Sequence, residues 1–185
     1  MFKKIFLSLF LVFAVSILIA QKTPESADAI LKEAYATALK ENKKPFILFH
    51  ASWCTWCRKM DSSLNDISCK KYFDDNFVVR HLTVYEDAQH KSLETPGALE
   101  LLTKYKGEKL GLPYWLIFDV KGNLIGEAKM PTAQGEPEKS TGCPATPEEV
   151  DYFIELLKKI TTLKDDELEI IRKRFKRNEV QNKNP

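Results

Sequence analysis

The apolar run Pro45-Phe46-Ile47-Leu48-Phe49-His50-Ala51 is followed at once by Trp53-Cys54-Thr55-Trp56-Cys57-Arg58-Lys59-Met60. A buried strand that turns into a helix, with two cysteines three apart on the turn, leaves few folds open. The spacing lets the two sulfurs meet, so the pair can form a reversible dithiol. A helix N-terminus there offers unsatisfied N–H groups and a partial positive charge, both of which stabilise a thiolate on the first cysteine. An ordinary cysteine titrates near ~8.5, and such a position lowers that by one to several units. The expected chemistry is therefore electron-pair transfer on sulfur. A permanent structural disulfide is one competing use of such a pair, and a zinc half-site is the other. It needs four ligands, and no second Cys-x-x-Cys or His-x3–5-His follows at usable spacing.

The segments that follow extend the pattern. Phe77-Val78-Val79-Arg80-His81-Leu82-Thr83-Val84 reads as a strand, and Thr95-Pro96 as the N-cap and first residue of a helix reaching about Lys106. Gly111-Leu112-Pro113-Tyr114-Trp115-Leu116-Ile117-Phe118-Asp119 and Val120-Lys121-Gly122-Asn123-Leu124-Ile125-Gly126 read as two strands joined by a Lys-Gly-Asn turn. Helical stripes precede and follow them. Ala27, Ile30, Leu31, Ala34, Tyr35 and Ala38 form one. Val150, Phe153, Ile154 and Leu157 form the other, after a well-formed start at Thr146-Pro147-Glu148-Glu149.

Over roughly residues 26–162 this order resembles the thioredoxin superfamily. The resemblance implies an α/β fold, thioredoxin-like and three-layered, with a central mixed β-sheet flanked by helices. It implies that Cys54 is the nucleophile, exposed at the helix start, and that Cys57, one turn in and more buried, is the resolving thiol. Trp53 is similar to the tryptophan that borders the family's substrate groove. Thr55 and Trp56 fill the dipeptide that tunes reduction potential in the family. Leu112-Pro113 matches its cis-proline substrate clamp, in which the exposed backbone before proline pairs with an extended substrate strand. One departure stands out. Many thioredoxins carry a buried acid six residues before the first cysteine, and here that position is Leu48. His50, Glu127 or water must then take the Cys57 proton, although His50 on an alternating strand also fits a simple polar niche. Met60 fits core packing.

Two cysteines lie outside the motif. Cys69 reads as a small buried hydrophobe. Cys143 lies in the loop from Lys129 to Pro147, which is longer than a usual strand-to-helix connection. That loop is either a lid or specificity element or a tolerated surface insertion. A Cys69–Cys143 disulfide stays open but is disfavoured, because the end of the first active-site helix is expected far from the active-site loops.

The N-terminus is a separate unit. Lys3 and Lys4 precede the apolar stretch Ile5 to Ala20, the layout of a secretory signal and shorter than the ~20 residues of a membrane span. Cleavage before Gln21 is expected. Leu18 fits poorly where a small residue is usual, so an uncleaved membrane anchor stays open. Without Lys3 and Lys4 the 28 basic residues fall to 26, equal to the 26 acids, so composition gives no support to nucleic-acid binding. Arg172-Lys173-Arg174-Phe175-Lys176-Arg177 is a local basic run. With Leu168, Ile171 and Phe175 at helical spacing it reads as an appended amphipathic helix with a solvated basic face. Attraction to anionic lipid headgroups is the alternative. Residues 178–185 read as a disordered polar tail.

The organisation expected is a signal peptide at 1–20, a thioredoxin-like domain at 21–162 and a C-terminal extension at 163–185. No phosphate loop, dinucleotide fingerprint or metal site is apparent, so no cofactor is expected. The expected function is extracytoplasmic thiol–disulfide exchange with protein thiols and disulfides, in the periplasm or outside the cell. A monomer is expected, served by a membrane electron donor or oxidant. Reduction is favoured slightly over oxidation or isomerisation because the domain lacks a large helical insertion. A non-catalytic binding module on the same fold, and peroxide chemistry, are the alternatives. Retention of both cysteines and the flanking tryptophan speaks against the first, and the missing Thr-x-x-Cys arrangement against the second.

Overall fold

The structure, a computed structural model, describes residues 24–180; the expected signal segment and residues 181–185 lie outside the described residues. Helix α1 (Ala27–Glu41) begins at Ser26, whose side chain accepts from the Ala29 N–H, and ends at Asn42 in the left-handed conformation. It leads into β1 (Lys44–His50), which is buried along its middle five residues. The chain continues through α2 (Thr55–Leu64), α3 (Lys70–Asn76) and β2 (Phe77–Thr83). A 3-10 turn (Lys91–Leu93) and α4 (Ala98–Lys104) lead to β3 (Tyr114–Phe118) and β4 (Leu124–Glu127). A small hairpin of β5 (Lys129–Met130) and β6 (Lys139–Ser140) precedes α5 (Pro147–Ile160) and α6 (Asp165–Val180).

The main sheet has the order β2-β1-β3-β4. Strands β1 and β2 are parallel, and the remaining pairs are antiparallel, so the sheet is mixed. Strand alternation sorts the core into two layers. On one face Phe46 and Trp115 meet Phe77 and Phe153, and Phe153 in turn packs on Phe73 and Phe175. On the other face Phe118 meets Tyr35 of α1 and Tyr105 at the end of α4. Helices α2, α3, α5 and α6 thus serve the first face, and α1 and α4 the second.

Three local expectations change. Helix α4 begins at Ala98 behind Gly97, not at Pro96. Gly97 adopts φ +83, and the Thr95 hydroxyl accepts from the Thr83 N–H instead of capping the helix. Tertiary pairing with β2 outcompetes the local cap. Secondly, the face of α6 is not simply solvated. Leu168, Ile171 and Phe175 are in the core as the spacing predicts, but Arg174 is also buried, with its Nε donating to Asp66 at 2.6 Å. Arg177 reaches the same carboxylate, and Arg172 pairs with Asp151. Thirdly, residues 178–180 continue the helix, and Asn178 is buried rather than part of a loose tail. Its Nδ2 donates to the Pro144 carbonyl at 3.0 Å and its Oδ1 accepts from Ser63 and Arg174. Among the described residues no helix is long and apolar enough to cross a membrane.

Candidate functional site

The loop from Ala51 to Cys54 carries the chain from the C-terminal end of β1 into α2. Cys54 is the N-cap of α2, in an extended conformation, and the Cys57 N–H donates to its Sγ at 3.0 Å. Cys54 and Cys57 are joined in a disulfide with Cα atoms 5.3 Å apart. Both cysteines are 3% exposed. Burial therefore does not separate nucleophile from resolving thiol, contrary to the expectation that Cys54 is exposed and Cys57 more buried. The capping bond does: one sulfur receives an orphan helix N–H and the other does not.

The neighbouring residues follow. Trp53 is 55% exposed, and its Nε1–H donates to the Tyr85 carbonyl at 2.8 Å. The Thr55 hydroxyl accepts from Arg58 Nη2, while Arg58 Nη1 donates to the Ser52 carbonyl at 2.9 Å. Trp56 packs against the cluster of Ala51, Cys54 and Cys57, and Lys59 Nζ lies 4.1 Å from its ring centroid. Leu112 packs on the same cluster, and the Leu112–Pro113 peptide is cis. A cavity of about 200 Å³ is lined by Trp56, Leu110, Leu112, Thr141 and Cys143. The structure therefore packs Cys54, Trp56, Cys57 and Leu112 together, with Trp53 and Thr55 next to them along the chain and Pro113 buried after Leu112.

The connection from Lys129 to Pro147 contributes to that cavity. Trp115 Nε1–H donates to the Gly142 carbonyl at 2.9 Å, and the Thr141 N–H to the Ala128 carbonyl at 2.9 Å. A Cβ placed on Gly142 would stand 3.5 Å from the Pro113 carbonyl oxygen, so the backbone passes close behind the proline. The stretch 140–143 is thus tied to the sheet, and the hairpin β5–β6 projects from it.

Of the two ionisable candidates for the Cys57 proton, His50 lies on the sheet face covered by α2 and Glu127 does not. Leu48, His50 and His81 share the sheet face covered by α2. His50 Nε2 lies 3.1 Å from the Thr83 hydroxyl, and its ring meets that of His81 at 5.0 Å between centroids. His81 Nε2 lies 2.7 Å from Asp61 Oδ1 on α2. Burial, and then the neighbouring His81 ring, push the pKa of His50 below the ordinary imidazole value. Glu127 pairs with Leu116 in the sheet and accepts from the Tyr114 hydroxyl at 2.9 Å, on the face away from α2. It does not face Cys57.

One residue at this site escaped the sequence reading. Glu86, 6% exposed, accepts from the Ser52 N–H at 2.6 Å and the Ser52 hydroxyl at 2.7 Å. The adjacent Tyr85, in the left-handed region at φ +57, sends its hydroxyl to the Glu108 carbonyl at 3.0 Å. Residues 85 and 86 thus tie the loop before Cys54 to the segment leading to Pro113. An acid two residues past the strand pattern Phe77-Val84 was the available signal.

The other two cysteines are free and buried. The expectation that they lie far apart does not hold. Cys69 Sγ–H donates to the Ser63 carbonyl, the Ser63 hydroxyl donates to Asn178 Oδ1, and Asn178 Nδ2 donates to Cys143 Sγ at 3.3 Å. One serine and one asparagine separate them. Burial pushes the Cys69 thiol up to about 11 and the Cys143 thiol up to about 12.

A mixed sheet of order β2-β1-β3-β4, with a Cys-x-x-Cys pair opening the helix after a central strand and a cis-proline opening β3, settles the architecture. The fold is thioredoxin-like. Among solved structures the chain is similar to the oxidised DsbD C-terminal domain of Neisseria meningitidis, at 23% identity and TM-score 0.45 over 75% of this chain and 99% of that one. A thioredoxin from Thermus thermophilus matches at 20% identity and TM-score 0.44, covering 69% of this chain and 82% of that one. A disulphide isomerase from Xylella fastidiosa matches at 24% identity and TM-score 0.43, covering 52% of this chain and 69% of that one. No protein-family model and no curated protein sequence matches the chain.

Proposed function

We propose that this thioredoxin-like chain is a thiol–disulfide oxidoreductase that exchanges electrons with protein disulfides through Cys54 and Cys57. The observation that carries the reading is the Cys54–Cys57 disulfide at the start of α2, with the Cys57 N–H aimed at Cys54 Sγ. In the reducing direction the Cys54 thiolate attacks one sulfur of a substrate disulfide. A Cys54–substrate disulfide forms and a substrate thiolate leaves. The Cys57 thiolate then attacks Cys54 Sγ, releases the second substrate thiol and closes the Cys54–Cys57 bond. Two electrons pass to the substrate, and a dithiol donor must return them. Oxidation runs the same steps backwards.

Trp53, Thr55, Trp56, Leu112 and Pro113 form the surface that receives the substrate strand in this reading. The N-terminal stretch Ile5 to Ala20 behind Lys3 and Lys4 supports export, and with it work on disulfides outside the cytoplasm by a monomer coupled to a membrane donor. Reduction is the favoured direction. The test is equilibration of the chain in defined glutathione or dithiothreitol buffers, with Cys54→Ser as the blank. A potential near about −270 mV marks a reductant, and one near about −120 mV an oxidant. The absence of any two-electron couple sinks the exchange reading and leaves a binding module.

A further inference from the structure

We infer that Glu86 is a positioning residue that sets the redox balance of the pair, holding the loop before Cys54 and placing a negative charge against it. The inference rests on the exchange reading above and extends it to what tunes the site.

Both Glu86 oxygens are used by Ser52, two residues before Cys54, one by its N–H and one by its hydroxyl. Side-chain atoms nearly sealed from water keep their charge effective at short range. The surrounding ionisable groups are few. The Glu86 N–H donates to Glu94 Oε1, which also accepts from Lys91 Nζ. His50 faces the carboxylate from β1, and exposed His90 lies within its field. Arg58 holds the Ser52 carbonyl from the opposite side. The helix start therefore feels two opposing fields. The α2 N-terminus favours the Cys54 thiolate, and the Glu86 carboxylate disfavours it.

A disfavoured thiolate raises the cost of the dithiol relative to the disulfide. The couple becomes more reducing, the opposite of the case in which a stabilised reduced form makes a strong oxidant.

The test uses the full chain with Glu86→Gln, which keeps an oxygen for Ser52 and removes the charge. Two quantities are read: the Cys54 titration in the reduced chain by thiolate absorbance near about 240 nm, and the equilibrium with glutathione. The expected result is a Cys54 pKa lower by about one unit. At a pH above both Cys54 pKa values the glutathione equilibrium moves about tenfold toward the dithiol, a rise of about 30 mV. Glu94→Gln, at a carboxylate that accepts from the Glu86 backbone rather than from Ser52, leaves both in place. Titration and equilibrium unmoved in Glu86→Gln, with only a lower melting midpoint, overturn the inference and leave Glu86 a purely structural brace. If Glu86→Gln does not fold, Glu86→Asp withdraws the charge by one methylene, and a smaller fall of the same sign is required. A wild-type chain with these shifts on mutation but no turnover on protein disulfides would overturn the proposed function and leave this inference standing.

Discussion

Four cysteines divide into two pairs that burial alone does not distinguish. Cys54 and Cys57 are each 3% exposed, Cys69 is sealed and Cys143 is 4% exposed. Yet one pair is bonded and the other is free. What differs is the set of groups around each sulfur. Cys54 caps α2 and receives the Cys57 N–H, at the positive end of a helix. Cys69 is itself a donor to the Ser63 carbonyl, which favours the protonated thiol. Cys143 accepts from the Asn178 amide, and burial pushes its thiol up against the opposing pull of Lys59 and Arg174. Reactivity here follows the field at the sulfur and the partner within reach, and accessibility is secondary.

The sharpest way to break that comparison is to remove each sulfur in turn. Cys54→Ser and Cys57→Ser abolish turnover on a protein disulfide, whereas Cys69→Ala and Cys143→Ala retain it. The assay is reduction of a model disulfide protein in dithiothreitol. Loss of activity in Cys143→Ala with an unchanged melting midpoint would place the second pair in the chemistry and defeat the distinction.

Alkylation sharpens it further. In the fully reduced native chain, Cys143 and Cys69 react with iodoacetamide on the order of a thousandfold more slowly than an ordinary thiol, because their pKa values of about 12 and about 11 leave almost no thiolate near neutrality. Cys54 labels first. Mass spectrometry over a time course reads the order, and all four label alike in denaturant.

How much of this was legible beforehand differs between the two pairs. The redox end could be read because its determinants are local. Apolar alternation in Pro45–Ala51, the Cys-x-x-Cys spacing, and the run from Gly111 to Asp119 each report on their own segment. The capping box at Thr146 and Glu149 is present as the sequence indicates. The far end of α2 could not be read, because what shapes it is non-local. More than a hundred residues separate Ser63 from Asn178 and Asp66 from Arg174, and the return of α6 across α2 makes Arg174 and Asn178 interior groups. Likewise, Thr95 has the local signature of a cap, but β2 claims its hydroxyl. Glu86 was missed for the same reason: its partner Ser52 lies on another element.

That far end gives the next test. Arg174→Ala removes the buried guanidinium that serves Asp66, Asn178 and Ser62. The loss of a buried charge partner costs about 3 kcal/mol. Chemical denaturation measures it, and the Cys54–Cys57 potential of the folded fraction stays as in the wild type. A shifted potential would show that the two ends of α2 are coupled.

Acid should expose the same contact. Hydrogen bonds from Ser68, reinforced by Arg174, hold the Asp66 carboxyl down to about 2. A depressed folded-state pKa gives stability that is complete above the unfolded value near ~3.9 and is lost as pH falls toward about 2. The melting midpoint of the wild type should therefore fall more steeply between those values than that of Asp66→Asn, and the two curves should converge at the acid end. Parallel curves would mean that other carboxylates dominate the acid transition.

The smallest effect is expected at the one signal that sequence and structure share without tertiary help. Thr146 accepts from the Glu149 N–H, and the Glu149 carboxylate accepts from the Thr146 and Ala145 N–H groups. Thr146→Ala should cost about 1 kcal/mol, the usual value of a lost N-cap. Because α5 lies against the sheet through Val150, Phe153 and Leu157, its register is fixed by packing and only the first turn should fray. Hydrogen exchange of residues 148–150 would read that fraying. Cys143, three residues before the cap, should remain slow to alkylate, since its burial and its Asn178 contact do not depend on the helix start. Rapid alkylation of Cys143 in Thr146→Ala would show instead that the second pair stays inert only because α5 holds the 140–146 segment in place, and the contrast between the pairs would then be a property of that cap.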